Sequence, residues 1–172
     1  MRRFAEAEVR SVARAADEAG AAPAGFYDQT AALGLSLLAI PEALGGAGAG
    51  RAPISNVLAA EDLGYGDMSL AIGALTPLGF INTVLDNGTE DQQERFLTPL
   101  ADEKFVAATI ALMEPRATFE ATDLHTTARK ENGRYVLNGE KSMVALGDTA
   151  RFILVIAKVE GENAPAAFVV EQ

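Results

Sequence analysis

Apolar residues over the first hundred or so positions recur three and four apart, and beyond about residue 104 they alternate or gather in short blocks. Phe4, Val9, Val12, Ala13 and Ala16 keep helical spacing, which predicts a first helix that dissolves at Gly20 and Pro23. A second, short helix is predicted from about Asp28, with Gly34 as its stop. Leu35 to Pro41 is apolar, too short for a full helix, and runs into Gly45, Gly46, Gly48 and Gly50, so a loop is expected. Pro53 suits a helix start, because its missing N–H would have no partner there anyway, and Gly64 or Gly66 would close that helix. Met68 to Leu85 predicts a fourth helix, kinked or split at Pro77 and ended by Asn87-Gly88. Thr89 and Gln92 match a capping box at the head of a fifth, which stops near Pro99.

The pattern then changes to strands. Phe105 to Leu112 suits a buried strand, Thr126 to Lys130 alternates, and Asn132-Gly133 is a hairpin signal before Arg134 to Leu137. Asn138-Gly139 gives a second turn signal, and Phe152 to Lys158 and Ala166 to Val170 are further strands separated by a turn-prone Glu160 to Pro165. The expected fold class is α+β: an all-helical domain over 1–104, then a partial antiparallel β-barrel domain over 105–172. A sheet stopping there would leave an unpaired edge, so further chain or a partner is expected to cover it.

Composition narrows the function. With 172 residues and 49% hydrophobic content the chain can bury a core, and disorder is not expected. Its net charge of -10 repels nucleic acid and anionic membranes, so neither is an expected partner. The absence of cysteine removes disulfides, thiolate metal sites and a cysteine nucleophile, and the single His125 cannot form a histidine cluster. Glu6, Glu8, Arg10 and Arg14 interrupt the start, so no secretory signal is expected. No run is expected to reach the ~18 apolar residues of a membrane span, which makes a cytoplasmic location the expectation.

Local motifs have plain structural readings as well as chemical ones. The string Ile40-Pro41-Glu42-Ala43-Leu44-Gly45-Gly46-Ala47-Gly48 has glycines close enough for backbone N–H groups to approach an anion. It lacks the Lys-Ser/Thr of a phosphate loop and the strand–glycine–helix order of a dinucleotide site, so a tight loop re-aiming the chain is the better reading. Glu61 and Asp62 are adjacent on a helix and point different ways, which suits a solvated face rather than an acid–base pair.

One register carries more. Pro41-Glu42 with Gly45-Gly46 and Gly48, then Gly88-Thr89-Glu90-Asp91-Gln92, Glu114-Pro115, Thr126-Thr127-Ala128, Tyr135-Val136-Leu137-Asn138-Gly139 and Lys141 stand in an order that resembles the acyl-CoA dehydrogenase family. The resemblance covers essentially the whole chain and corresponds to the family's N-terminal helical domain plus the first part of its middle β domain. It implies an FAD-dependent oxidoreductase that removes hydrogens from the α and β carbons of an acyl-CoA thioester. The partners implied are that thioester and either a homo-oligomer or a separate C-terminal half.

Carried over residue by residue, the resemblance assigns flavin contacts to Ile110, Leu112, Met113, Thr118, Phe119, Met143 and Ala145. Met113 stands for the family's usual threonine, Thr118 for a glycine, Phe119 for a serine, and Met143 and Ala145 for a tryptophan and a threonine. Each lost hydroxyl forfeits about 0.5–1.5 kcal/mol, so two or three losses weaken flavin binding by roughly one or two orders of magnitude. A positive φ kept at the glycine position would strain Thr118, whereas Phe119 and Met143 are large and apolar enough to restack on a ring. His125 is expected to face solvent, and Glu120 to anchor its loop backbone. The family's glutamate base lies in its C-terminal helical domain, so no catalytic residue is assigned here and the chain alone is expected to be inactive. The alternative is a non-catalytic subunit that pairs with a complete homologue or a separate C-terminal half.

Overall fold

The computed structural model describes residues 1–162 and 164–172. The chain divides into two units, Met1–Val106 and Ala107–Gln172. The first is helical. Its opening segment is one continuous coil of α1 (Arg2–Phe4), a π-turn Ala5–Val9 and α2 (Arg10–Ala19), closed by Gly20 at φ 65. Then come α3 (Phe26–Ala31), α4 (Leu35–Ala39), α5 (Pro53–Gly66), α6 (Met68–Asn87) and α7 (Glu90–Leu97). Ala5, Val9 and Ala16 pack with Phe26, Leu63, Leu70 and Ala71, so the spacing read along the first helix does define a buried face.

The segment expected to be a loop after Gly34 is partly helical. Leu35–Ala39 makes a single turn and Glu42–Leu44 a 3-10 turn, because the glycines fold back and complete the hydrogen bonds that so short a helix leaves open. The Ala47 N–H donates to Leu37 O, Ala49 to Leu38 O, Gly48 to Ile40 O, and Gly46 to Pro41 O. Those N–H groups are spent on the chain's own carbonyls, which leaves a tight structural loop rather than a phosphate cradle.

Pro77 neither splits nor ends α6, which runs unbroken from Met68 to Asn87. Proline cannot donate to the carbonyl four residues back, and here the Thr76 hydroxyl takes that place, donating to Gly73 O at 2.8 Å. Thr76→Val keeps the shape and removes the donor. It is expected to cost about 1–2 kcal/mol in a urea titration followed by circular dichroism, because the Gly73 carbonyl is then left unsatisfied. With 20 residues and an 18-residue stretch of mean hydropathy 1.6, α6 is also long and apolar enough to cross a membrane, contrary to the expectation that no run would be. Its apolarity is used inside the helical unit, where Leu70, Ala71, Leu78, Phe80, Ile81 and Val84 are buried. The capping box at α7 is present, with Thr89 N–H on Gln92 Oε1 at 2.9 Å and Gln92 N–H on Thr89 Oγ1 at 3.3 Å.

The second unit is one sheet of β1 (Ala108–Ala111), β2 (Thr127–Glu131), β3 (Arg134–Asn138), β4 (Phe152–Val159) and β5 (Pro165–Glu171). Asn132 at φ 48 and Gly133 at φ 79 form the two-residue turn that joins β2 to β3, with Glu131 opposite Arg134. The turn expected over Glu160 to Pro165 includes Asn163, which lies outside the described residues.

The mixed helix-and-sheet class holds, but the antiparallel barrel does not. β4 runs parallel to β1 along Phe152 to Val155 and parallel to β2 at Lys158 and Val159, and only β2·β3 and β4·β5 are antiparallel. The physical reason lies in the connections. β1 reaches β2 through Leu112 to Thr126, long enough to carry the chain back so that β2 runs in the direction of β1, and β3, reversed by its hairpin, then leads through Gly139 to Arg151 into a β4 parallel to both β1 and β2. Rings of Tyr135 on β3 and Phe168 on β5 nevertheless lie 5.0 Å apart, so the sheet curls strongly without closing.

Candidate functional site

The two long connections of the sheet unit converge on one buried carboxylate. Glu114, 3% exposed, accepts the backbone N–H of Thr126 at 2.8 Å and that of His125 at 2.9 and 3.1 Å on its two oxygens. Lys141 Nζ reaches the same carboxylate at 3.1 Å and also donates to Leu112 O at 3.0 Å. Arg116 adds a longer ion pair at 3.5 Å. Thr126 Oγ1 is buried beside the group without a hydrogen-bond partner of good geometry, so the two backbone donors and Lys141 are the anchors. Gly139, at φ 151, lets the chain pass close over Thr126, where a Cβ would come within 2.6 Å of Thr126 Cα.

Burial alone would raise the Glu114 pKa, but the His125 and Thr126 N–H groups, the adjacent Thr126 side chain and the Lys141 ammonium outweigh it. The carboxyl is lowered from 4.5 to about 2. It is therefore held ionised with its oxygens occupied, which makes it a structural anchor and not a proton acceptor. Glu120, expected to anchor the loop, is exposed, and only its backbone carbonyl is used, by Asp123 N–H at 3.1 Å. The anchoring role falls to Glu114. The sequence did flag Glu114-Pro115 and Lys141 as motif residues, but nothing in their spacing disclosed that they form one pair.

Around this staple the candidate flavin contacts divide. Ile110 and Leu112 lie at the end and exit of β1, which has β4 as its strand neighbour on one side and no strand on the other among the described residues. Met113 is 40% exposed, and its carbonyl accepts the Ser142 N–H at 2.9 Å, which brings Met143 beside it. Met143 is 86% exposed at φ 53, and Ala145 follows it, partly buried. Ile110, Leu112, Met113, Met143 and Ala145 thus belong to two segments tied side by side.

Thr118 and Phe119 lie in the loop that leaves Pro115 and returns at Leu124. Thr118 is exposed and is not among the non-glycine residues at positive φ, which are Asn132, Met143 and Leu146, so the strain expected there is absent. The strain lies instead at Met143 and Leu146, flanking Ala145. Phe119 is partly buried with the Arg116 guanidinium 5.8 Å from its ring centre, which ties it to its own loop. Exposed His125 places Nε2 3.1 Å from Arg116 Nη1. No group of His, Asp and Glu side chains fit to hold a metal ion occurs among the described residues.

A helical unit followed by an open, curled mixed sheet with an exposed apolar ledge at one strand end defines the class, and comparison with known proteins gives the family. Residues 1–104 match the acyl-CoA dehydrogenase N-terminal domain and residues 109–172 the acyl-CoA dehydrogenase middle domain. The chain belongs to the acyl-CoA dehydrogenase family. It is 31% identical over 179 residues to an acyl-CoA dehydrogenase of Bacillus subtilis, covering 100% of this chain and 46% of that one. It is 33% identical over 144 residues to the mitochondrial isovaleryl-CoA dehydrogenase of Bos taurus, covering 83% and 33%. The butyryl-CoA dehydrogenase structure from Megasphaera elsdenii superposes with a TM-score of 0.85 at 30% identity, covering 99% of this chain and 46% of that one. The chain thus spans less than half the length of these relatives.

Proposed function

We propose that this chain supplies the cofactor-side wall of an FAD-dependent dehydrogenase acting on the α and β carbons of an acyl-CoA thioester. The observation that carries the reading is the pair Met113 and Met143, both exposed and apolar, on two segments tied by the Ser142–Met113 hydrogen bond just past the end of β1, a strand with no neighbour on one side among the described residues. Such a surface suits the isoalloxazine ring, a flat apolar body with polar edges, because large side chains can stack on it while strand backbone groups meet its edge. Ile110, Leu112, Met113, Met143 and Ala145 are the residues proposed to hold it. FAD, when bound, supplies the hydride acceptor. The chain's own residues bind and orient the ring and keep water from one face. The α-proton base is proposed to come from the part of the family fold that lies outside these residues, as is the rest of the acyl cavity. Two of the relatives named above, the isovaleryl-CoA and butyryl-CoA dehydrogenases, carry short acyl groups in their names, and a short acyl-CoA is the first substrate to test.

Titrating the purified chain with FAD is the direct check. Saturable quenching of flavin fluorescence is expected, weaker by about tenfold in Met143→Glu, which places a charge on the ledge without touching the core. Absence of saturable binding by the unaltered chain would remove the reading.

One observation favours a second role. Arg116 lies by the Phe119 ring and donates to Asp123 Oδ2, and Asp123 N–H donates to Glu120 O, so the loop that the resemblance places against flavin and substrate is bonded to itself. A non-catalytic subunit that keeps the fold and pairs with a complete homologue accommodates that loop. Co-purification with a full-length homologue, without flavin of its own, would favour this role over the first.

A further inference from the structure

We propose that Lys141 is a positioning residue for the cofactor ledge: its ammonium, held by Glu114, fixes the Leu112 carbonyl and thereby sets where Met113 and Met143 project. The proposal rests on the flavin reading above for its purpose, but its geometry is independent of it. Consecutive residues of one connection engage consecutive carbonyls of the other, Lys141 Nζ on Leu112 O at 3.0 Å and Ser142 N–H on Met113 O at 2.9 Å. The next residue is Met143, exposed and at positive φ, so the direction of its side chain is inherited from that two-point clamp.

A backbone bond alone would leave the clamp free to hinge. Lys141 closes it, because its side chain is only 9% exposed and its charge is matched by a carboxylate that is 2% exposed. The same carboxylate holds His125 and Thr126, the end of the loop that began at Pro115. One ion pair therefore joins the exit of β1, the start of β2 and the connection carrying Met143. A flexible ammonium is suited to the task, since it can serve a carbonyl and a carboxylate at once with separate N–H groups. The Lys141 ammonium is buried between Glu114 and the Leu112 carbonyl, so its action on a ligand at Met113 and Met143 runs through the backbone it holds.

The test compares the 172-residue chain with Lys141→Met, Glu114→Gln and the double variant, using FAD as the probe. Amide hydrogen exchange and thermal melting are measured alongside. Lys141→Met is expected to weaken FAD binding about tenfold and to speed exchange at Ser142 at least about tenfold more than at the strand amides of β4. The double variant is expected to be no worse than the worse single one, as for a coupled pair. If Lys141→Met fails to fold, Lys141→Gln, which keeps an amide donor for Leu112 but not the charge, replaces it, with losses at the same amide and of the same sign but smaller. Unchanged exchange at Ser142, additive losses in the double variant, or acceleration spread evenly over the sheet would overturn the proposal. Should the unaltered chain bind no FAD, the functional reading fails by itself, and local loss of protection at Ser142 in Lys141→Met still supports the positioning role, while its absence refutes it.

Discussion

Replacing Glu114 by alanine is expected to cost the sheet unit roughly 3–5 kcal/mol, the range found when one partner of a buried ion pair is removed. The side chain is 3% exposed and satisfies two backbone N–H groups and one ammonium, so its loss strands three donors in a place with little water. The pH dependence gives the effect a signature. Since the folded-state pKa lies at about 2, below the ordinary 4.5, the carboxylate's contribution is complete above pH 4.5 and drains away as the pH falls towards 2. Urea titrations across that interval should therefore show the unaltered chain losing stability steeply and Glu114→Ala much less, the two curves converging at the acid end. Parallel curves would mean that the carboxylate contributes through packing alone.

That anchor illustrates where the sequence was informative and where it was not. Periodicity and local motifs located every helix but the single-turn α4, the Thr89–Gln92 box and the Asn132-Gly133 turn, because each depends on neighbours within a few residues. The same holds for the helix-to-strand change after residue 104. Pairing across the sheet depends on two long connections, and local residue preferences say nothing about which end of β4 they return to. The antiparallel expectation failed at that point. Pro77 misled for a related reason. A breaker in an interior is judged by what it removes, whereas the neighbouring Thr76 hydroxyl replaces the missing donor to Gly73. At the candidate site the sequence named the surface residues and overlooked their support. Glu114 and Lys141 are 27 positions apart, and only the fold reveals that they share one hydrogen-bonded cluster. Phe119 is expected to stack on a ring, and the contact the fold gives it is with Arg116, three residues away, whose guanidinium lies 5.8 Å from its ring centre.

The glycine-rich string offers the sharper steric test. Gly46→Ala is expected to destabilise the helical unit by about 3 kcal/mol or more, at the upper end for adding a methyl group to a packed site. A Cβ there would stand 2.0 Å from Ile40 O and 2.5 Å from Ile40 C. Backbone atoms cannot swing aside as a side-chain tip can, and Ile40 is itself fully buried. Relief would require pulling the glycine segment off α4, which sacrifices the bonds from Gly46, Ala47, Gly48 and Ala49 that complete that single-turn helix. Gly50 provides the internal comparison: at φ 72 with nothing within 4 Å of its would-be Cβ, Gly50→Ala carries only the backbone cost of a left-handed residue, about 1 kcal/mol. A thermal melt of the two variants should separate them clearly, with Gly46→Ala the lower. If the string served an anion instead, added phosphate would raise the melting temperature of the unaltered chain. With its N–H groups already committed to Leu37, Leu38, Ile40 and Pro41, no such rise is expected.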